Sequence, residues 1–240
     1  MIPAYNERRA LPALLERAAD VPVIGRVLVV DDGSSDGTAD IAAAWDGPPR
    51  VEVVRHPHNR GLGAAMLTGL TALAERDGLR DDDVVVTMDG DNTHDPALIP
   101  RMCQAIGGGA DVVVASRYCP GGRELGLSWR RRVLSRGASR LLGALRPVRG
   151  VRDYSCGYRA YRVGVLRRAL TAFGQDLITT AGFACMAEIL LRLDSLGARC
   201  VEVPLELHYE RKEGPSKMRV ARTISGYLQL LRSVPAHRRQ

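Results

Sequence analysis

Asp89-Gly90-Asp91 sets two carboxylates two residues apart, just beyond the apolar run that begins at Val84. Carboxylates so spaced past a strand end can share one hard divalent ion, Mg²⁺ or Mn²⁺. Such an ion fills the rest of its shell with water and phosphate oxygens, and it would neutralise charge on a departing diphosphate. A bare D-x-D is common by chance, so its position carries more weight than its presence. A second acidic cluster, Asp31-Asp32-Gly33-Ser34-Ser35-Asp36-Gly37, closes another apolar run, and Ser116-Arg117 closes a third. Each cluster has a plain structural alternative: Asp36 as a helix cap, Asp-Gly as a turn. That explanation weakens when every cluster falls at the end of an apolar run. His94 lies close to the acid pair, but no second His or Cys stands at zinc-ligand spacing, so it reads as a loop residue near the site.

The elements that must position these residues alternate. Short β-branched runs at 26–31, 51–54, 84–89 and 111–116 have the length and composition of buried parallel strands. Helix-period segments lie between them at about 7–19, 37–46, 62–76 and 97–107. This predicts a doubly wound α/β sheet with helices on both faces. In such sheets ligands bind beyond the carboxyl ends of the strands, where the acidic clusters fall. From Arg117 to about Tyr154 the chain turns Arg- and Gly-rich, with one helix expected near 129–144. Further helices are expected at 181–196 and 217–232, and a strand at 200–204. Met1 to Glu7 has strand-end chemistry with almost no strand ahead of it, so either the first strand is a stub or the true start lies upstream. No linker or repeat divides the chain, and residues 1–240 read as a single domain.

Five scattered cysteines without a C-x-x-C pair argue against a disulfide framework or zinc site, and fit a reducing cytoplasm. No secretory signal or membrane-spanning run is read. The formal charge of +7 suggests an anionic partner. Of the 34 basic residues only Lys212 and Lys217 are lysines. Arginine forks match phosphate geometry, though a GC-rich genome explains the bias as well. Arg132, Arg136 and Arg140 recur every fourth residue beside Arg130 and Arg131, with Leu134, Leu141 and Leu142 interspersed. This segment reads either as an interfacial helix on a lipid-phosphate or anionic membrane surface or as a solvated basic face. With aromatics at 5% and no recognition helix, no nucleic-acid partner is expected.

Seven segments in order, from Pro3-Ala-Tyr-Asn-Glu7 through Val30–Thr38, His58–Ala65, Met88–Asp91, Ala115-Ser-Arg-Tyr118 and Asp153–Arg159 to Arg211-x-x-Gly-x-Ser-Lys217, resemble family 2 glycosyltransferases of the GT-A fold. They look most like its polyprenyl-phosphate (dolichol-phosphate) mannosyltransferase branch. The resemblance implies a Rossmann-like, mostly parallel twisted sheet flanked by helices. About 1–116 would bind the nucleotide sugar, and about 117–240, with a C-terminal helix, would bind the acceptor. Pro3, Tyr5, Glu7 and one of Asp31 or Asp32 would hold the nucleoside. Asp89, Gly90 and Asp91 would bind Mg²⁺ or Mn²⁺ and the diphosphate, and Arg211 and Lys217 would close over the phosphates. Arg117 would bind an acceptor or donor phosphate, and with Arg131 and Ser135 is assigned to the acceptor, with Asp89, Asp91 and Arg117 as the catalytic set. Where the family has a metal-shell Gln, this chain has Thr93, grouped here with Asp89 and Asp91 as a metal residue, so either the coordination is altered or Thr93 acts through water. The chain also departs from the family in its short first strand, and it lacks the C-terminal membrane domain that some members carry.

The implied reaction moves a hexose, with inversion, from a nucleotide sugar, GDP-mannose favoured, to a polyprenyl phosphate. The expected location is cytoplasmic, with peripheral contact at the inner membrane face. A phosphate monoester has its second pKa at about 6, so it needs little general base. A hydroxyl acceptor would need one, and Asp153 or Glu188 are the candidates. Glu188 reads more readily as a partly buried helix residue paired with an Arg. Two alternatives remain at this level: the same fold with UDP-glucose or another donor and a soluble acceptor, and a non-catalytic nucleotide-sugar or anion binder.

Overall fold

The computed structural model describes residues 1–212, 225–227 and 229–231, without the side chains of Arg130 and Arg131. The first half runs β1 (Ile2–Ala4), α1 (Ala10–Ala19), β2 (Arg26–Asp31), α2 (Thr38–Ala43), β3 (Arg50–Arg55), α3 (Leu62–Ala74), β4 (Val84–Thr87), α4 (Ile99–Gly107) and β5 (Val112–Ser116). Then follow β6 (Arg123–Leu125), α5 (Trp129–Leu145), β7 (Arg159–Arg162), α6 (Val163–Phe173), α7 (Ala184–Ser195), β8 (Cys200–Pro204) and β9 (Glu206–His208).

β1, β2 and β3 pair in parallel, with Ala4 beside Asp31 and Asp31 beside Arg55. The Met1 amine donates to Val86 O at 2.7 Å and Met88 N–H donates to Met1 O at 3.1 Å. β1 is therefore flanked by β2 and by β4, and the three-residue stub of the sequence reading is a central strand. β5 and β8 continue in parallel. In β2 only Arg26 is exposed, and β5 is buried throughout, which is why both read as continuous apolar runs. One cluster of buried apolar residues runs from Met1 to Leu230.

The expectation of parallel neighbours fails between β4 and β5. There β7 is inserted antiparallel to both, in the order β4-β7-β5-β8. β7 reads Arg-Ala-Tyr-Arg and offers no apolar run, so neither it nor α6 was expected. Its Arg159 is fully buried and donates to Met186 O at 2.5 Å and Tyr154 O at 2.9 Å, tying the strand to α7. The two-stranded pair of β6 and β9 was also missed. α2 and α7 are shorter than expected, and most of the helix expected at 217–232 lies outside the described residues, with 225–227 and 229–231 helical.

Glu188 on α7 has no exposed surface. Its carboxylate accepts from Thr179 N and Oγ1 at 2.9 and 2.7 Å, from Thr180 N and Oγ1 at 2.8 and 2.7 Å, and from Arg192 at 3.0 Å. It pins the loop before α7 and is no general base. Burial works to raise its pKa, but these donors outweigh it, and the group lies below its ordinary value of 4.5. A carboxyl with a depressed folded pKa adds stability that is full above the unfolded value and is lost as pH falls through the folded one. Glu188→Gln should therefore lower the melting temperature at neutral pH and flatten its acid-side decline, as measured by thermal melts at successively lower pH.

Candidate active site

Because β1, β2 and β4 run in parallel, their carboxyl ends deliver Tyr5–Glu7, Asp31–Asp32 and Asp89–Asp91 to one edge. The first two loops are laced together. Asn6 N–H donates to Ser34 Oγ at 2.9 Å, Ser35 N–H donates to Asn6 Oδ1 at 2.9 Å, and Glu7 N–H donates to Thr38 Oγ1 at 2.9 Å. Asp36 accepts from Thr38 N at 3.0 Å and Arg8 N at 3.1 Å and so closes the turn before α2, whose N-cap is Gly37.

Asp31 and Asp32, left open as nucleoside readers, now separate. Asp32 accepts from His56 Nδ1 at 2.7 Å, Arg60 N at 2.9 Å and Gly61 N at 2.7 Å. These bonds hold the loop before α3, and the donor-binding expectation for Asp32 is corrected to that structural task. Asp31 is fully buried. Its Oδ2 accepts from Ser34 N at 3.3 Å, and Arg55 Nε stands 3.5 Å from it. Its Oδ1 has no hydrogen-bond partner among the described residues. A buried carboxylate oxygen left without a donor is costly, and it is a ready acceptor for a ligand N–H.

The acid pair packs directly on the first loop. A Cβ on Gly90 would stand 3.3 Å from Ile2, 3.5 Å from Glu7 Cγ and 3.5 Å from Pro3 O, so the acid-pair loop lies in contact distance of the first loop. Asp89 N–H donates to His94 Nδ1 at 3.2 Å, and His94 stacks on Tyr158 with ring centroids 4.9 Å apart. Burial first, and the adjacent Asp91 charge, raise the Asp89 carboxyl above its ordinary range. Burial acts the same way on Asp91, but Lys212, His94 and Thr93 outweigh it, and Asp91 lies low. Thr93 Oγ1 donates to Asp91 Oδ1 at 2.7 Å, with its N–H 3.2 Å from the same oxygen. Thr93 is thus turned to orient Asp91. Lys212 Nζ donates to Asp91 Oδ2. Arg211 Nη1 lies 3.6 Å from Asp95 Oδ2, on the same loop.

On the acceptor side Arg117 is clamped by Asp153, with Nε and Nη2 at 2.7 and 2.8 Å, and Nη2 also donates to Ser155 Oγ at 2.7 Å. Asp153 further accepts from the N–H groups of Arg117, Ser155 and Cys156 at 3.1–3.2 Å. Arg117 outweighs burial and keeps its pKa low. Asp153 is therefore an arginine clamp and not a base. Ser135 joins the cluster, accepting from Tyr118 Oη at 2.7 Å and lying 3.4 Å from Ser155 Oγ. The side chain of Arg131, and Lys217 entirely, fall outside the described residues.

Sequence reasoning missed Lys212 at the acid pair, and Asp153 and Ser155 at Arg117. Lys212 had one available signal: in a chain of arginines, both lysines fall in the short segment after β9. Among the described residues no cluster of three or more His, Cys, Asp or Glu is placed to hold a metal, so any ion here would rest on two carboxylates.

A family model described as glycosyl transferase family 2 matches residues 1–170. The chain is 38% identical over 221 residues to polyprenol monophosphomannose synthase of Mycolicibacterium smegmatis, covering 91% of this chain and 79% of that protein. It is 39% identical over 225 residues to undecaprenyl-phosphate mannosyltransferase of Micrococcus luteus, covering 91% and 86%. Among solved structures, glucosyl-3-phosphoglycerate synthase from Mycobacterium tuberculosis, in complex with Mn²⁺, uridine-diphosphate-glucose and phosphoglyceric acid, aligns with a TM-score of 0.66 at 23% identity. That alignment covers 98% of this chain and 79% of the other, and it speaks to the fold alone. The chain belongs to glycosyl transferase family 2 and is a glycosyltransferase. Within the family it is similar to the polyprenyl-phosphate and dolichol-phosphate mannosyltransferases, as its ordered motifs implied.

Proposed function

We propose that the chain transfers mannose from GDP-mannose to a polyprenyl phosphate, with inversion at the anomeric carbon and with Mg²⁺ or Mn²⁺ at the donor. The observation that carries this reading is the convergence, on one sheet edge, of the unpartnered Asp31 Oδ1 and the Asp89–Asp91 pair. A single domain would do the work, its half to about residue 116 taking the donor and the remainder the acceptor. The continuous core supports the single domain.

Asp89 and Asp91 suit a hard cation, since their oxygens only accept and Asp91 already draws an ammonium to Oδ2. When bound, the ion would neutralise diphosphate charge as the sugar leaves. The protein's part is positional. Asp31 accepts an N–H of the base, with Pro3, Tyr5 and Glu7 lining the nucleoside side. Thr93 fixes Asp91, and Lys212 and Arg211, with Lys217, add positive charge beside the diphosphate. Arg117, held rigid by Asp153, and Ser135, with Arg131 on the same helix, receive the acceptor phosphate. That phosphate is already largely dianionic, so the lack of a free base at Asp153 and Glu188 favours it over a hydroxyl acceptor.

The donor is tested by thermal shift and calorimetry with GDP-mannose and UDP-glucose, with and without Mn²⁺. GDP-mannose with Mn²⁺ should raise the melting temperature most, and a larger rise with UDP-glucose would overturn the donor assignment. Asp31→Ala removes a charge-assisted bond of about 1.5–3 kcal/mol and should weaken GDP binding by about ten- to a hundredfold. Its melting temperature should fall only modestly, because the lost contacts are the long Ser34 N–H and Arg55 ones at Oδ2 and the other wild-type oxygen is unsatisfied without a ligand.

A further inference from the structure

We infer that Arg17, on the last turn of α1, is a positioning residue for the acid pair, holding the loop after β4 in the shape that presents Asp89 and Asp91 together. The inference rests on the metal reading of that pair above and deepens it by naming the residue that preorganises the site.

Arg17 reaches across from the helix that follows the nucleoside loop, where Leu11 N–H donates to Glu7 O at 2.9 Å. Its guanidinium meets the loop after β4 at two points. Nη1 donates to Asn92 Oδ1 at 2.7 Å, and Nη2 stands 2.9 Å from Asp95 Oδ1. Between those points lie Thr93 and His94, both buried, and each turns back onto the acid pair. Thr93 Oγ1 donates to Asp91 Oδ1, and His94 Nδ1 accepts from Asp89 N–H. The arginine therefore pins both ends of the segment that orients the two carboxylates. The far end is fixed independently: Asp95 Oδ1 accepts from Ala97 N at 3.0 Å, and Asp95 O accepts from Tyr158 Oη at 2.8 Å.

The near end needs the clamp. Asn92 has a φ of +61°, in the left-handed region that residues with a side chain rarely adopt. Among the described residues the only other non-glycine with positive φ is Asn6, at +52°. Both asparagines lie in donor loops, and each is held through its side-chain carbonyl, Asn6 by Ser35 N–H and Asn92 by Arg17. Such conformations persist where the surroundings over-determine them. Without the arginine, residue 92 is released to right-handed backbone, and Asp91, its neighbour in the chain, loses its fixed direction. A planar guanidinium spans two acceptors in a way that an ammonium does not. Groups that orient metal ligands from behind set roughly ten- to a hundredfold of metal affinity.

The test is calorimetry, with Mn²⁺ titrated into protein saturated with GDP. Arg17→Ala should weaken Mn²⁺ binding by about tenfold or more. Arg17→Lys should do nearly the same, because it keeps the charge and loses the fork. In transfer assays the Mn²⁺ concentration for half-maximal rate should rise by the same factor, while kcat at saturating Mn²⁺ falls less. Asn92→Gly added to Arg17→Ala should return about threefold or more of the affinity, since glycine takes the left-handed conformation unaided. Unchanged Mn²⁺ affinity in Arg17→Ala overturns the inference. So does wild-type affinity in Arg17→Lys, which would reduce Arg17 to a charge, and so does a loss that Asn92→Gly leaves unrelieved. Coupling of the two substitutions in melting temperature, in a protein whose wild type binds no Mn²⁺, would instead retain the clamp and overturn the metal reading.

Discussion

Asp91→Asn should lower kcat/KM for mannosyl transfer by about 10³-fold, the loss expected when roughly 4 kcal/mol of transition-state charge stabilisation disappears. The substitution is nearly isosteric. Thr93 can still donate to Oδ1, so the loop after β4 keeps its shape, while the lost ion pair with the buried Lys212 lowers the melting temperature. What goes is the second negative charge of a two-carboxylate site, and with it the attraction for Lys212 and for a divalent ion. An ion held here and acting on the leaving diphosphate would make the loss appear in kcat as well as in apparent metal affinity. Steady-state rates at saturating Mn²⁺, with calorimetry for metal binding, check this. Activity within about tenfold of wild type would mean that the acid pair does not stabilise the leaving group.

Asp153→Ala should be among the most damaging single changes to the fold. The Arg117–Asp153 pair is almost wholly withdrawn from water, with Arg117 11% exposed and Asp153 not at all. Removing one partner of a buried, hydrogen-bonded pair leaves an uncompensated charge, at a cost of about 3–5 kcal/mol. For a chain of this length that is a fall of about 10 °C or more in melting temperature. Replacing both partners with apolar residues, Arg117→Met with Asp153→Leu, should return only part of the lost stability, because the uncompensated charge is gone but the N–H groups of Arg117, Ser155 and Cys156 still lose their acceptor. Transfer should stay abolished in the double variant, since no guanidinium remains for the acceptor phosphate. Recovery of transfer together with stability would remove Arg117 from acceptor binding and leave it a structural role. Thermal melts and transfer assays on the three variants distinguish these outcomes.

The parts legible in the sequence were those with a one-dimensional signature. Val27–Val30 and Val112–Ala115 are buried on both faces, so burial prints as an uninterrupted apolar run. The acidic residues following such runs were correctly placed on one edge, because parallel strands put all their carboxyl ends together. β7 left no such print. It lies buried between β4 and β5, yet it begins with Arg159, whose guanidinium donates to Tyr154 O nearby and to Met186 O, 27 residues on. Pairings of side chains were equally hidden. Asp31 and Asp32 are adjacent and chemically identical, and only the fold shows that His56, Arg60 and Gly61 consume the second and leave an oxygen of the first. Asp153 read as a free carboxylate because its partner lies 36 residues away. Thr93 was assigned from the family position it occupies, and the fold adds that its hydroxyl donates to Asp91.

The most direct test supplies the purified protein with GDP-mannose labelled in the sugar, a polyprenyl phosphate and Mn²⁺, and follows the label. Label should appear in the lipid-phosphate fraction, disappear from it on chelation and return when Mn²⁺ is restored. Label that stays in the nucleotide, or that reaches the lipid equally well with the metal removed, would contradict the joined grip of Asp31, Asp89 and Asp91 on a metal-bound activated sugar.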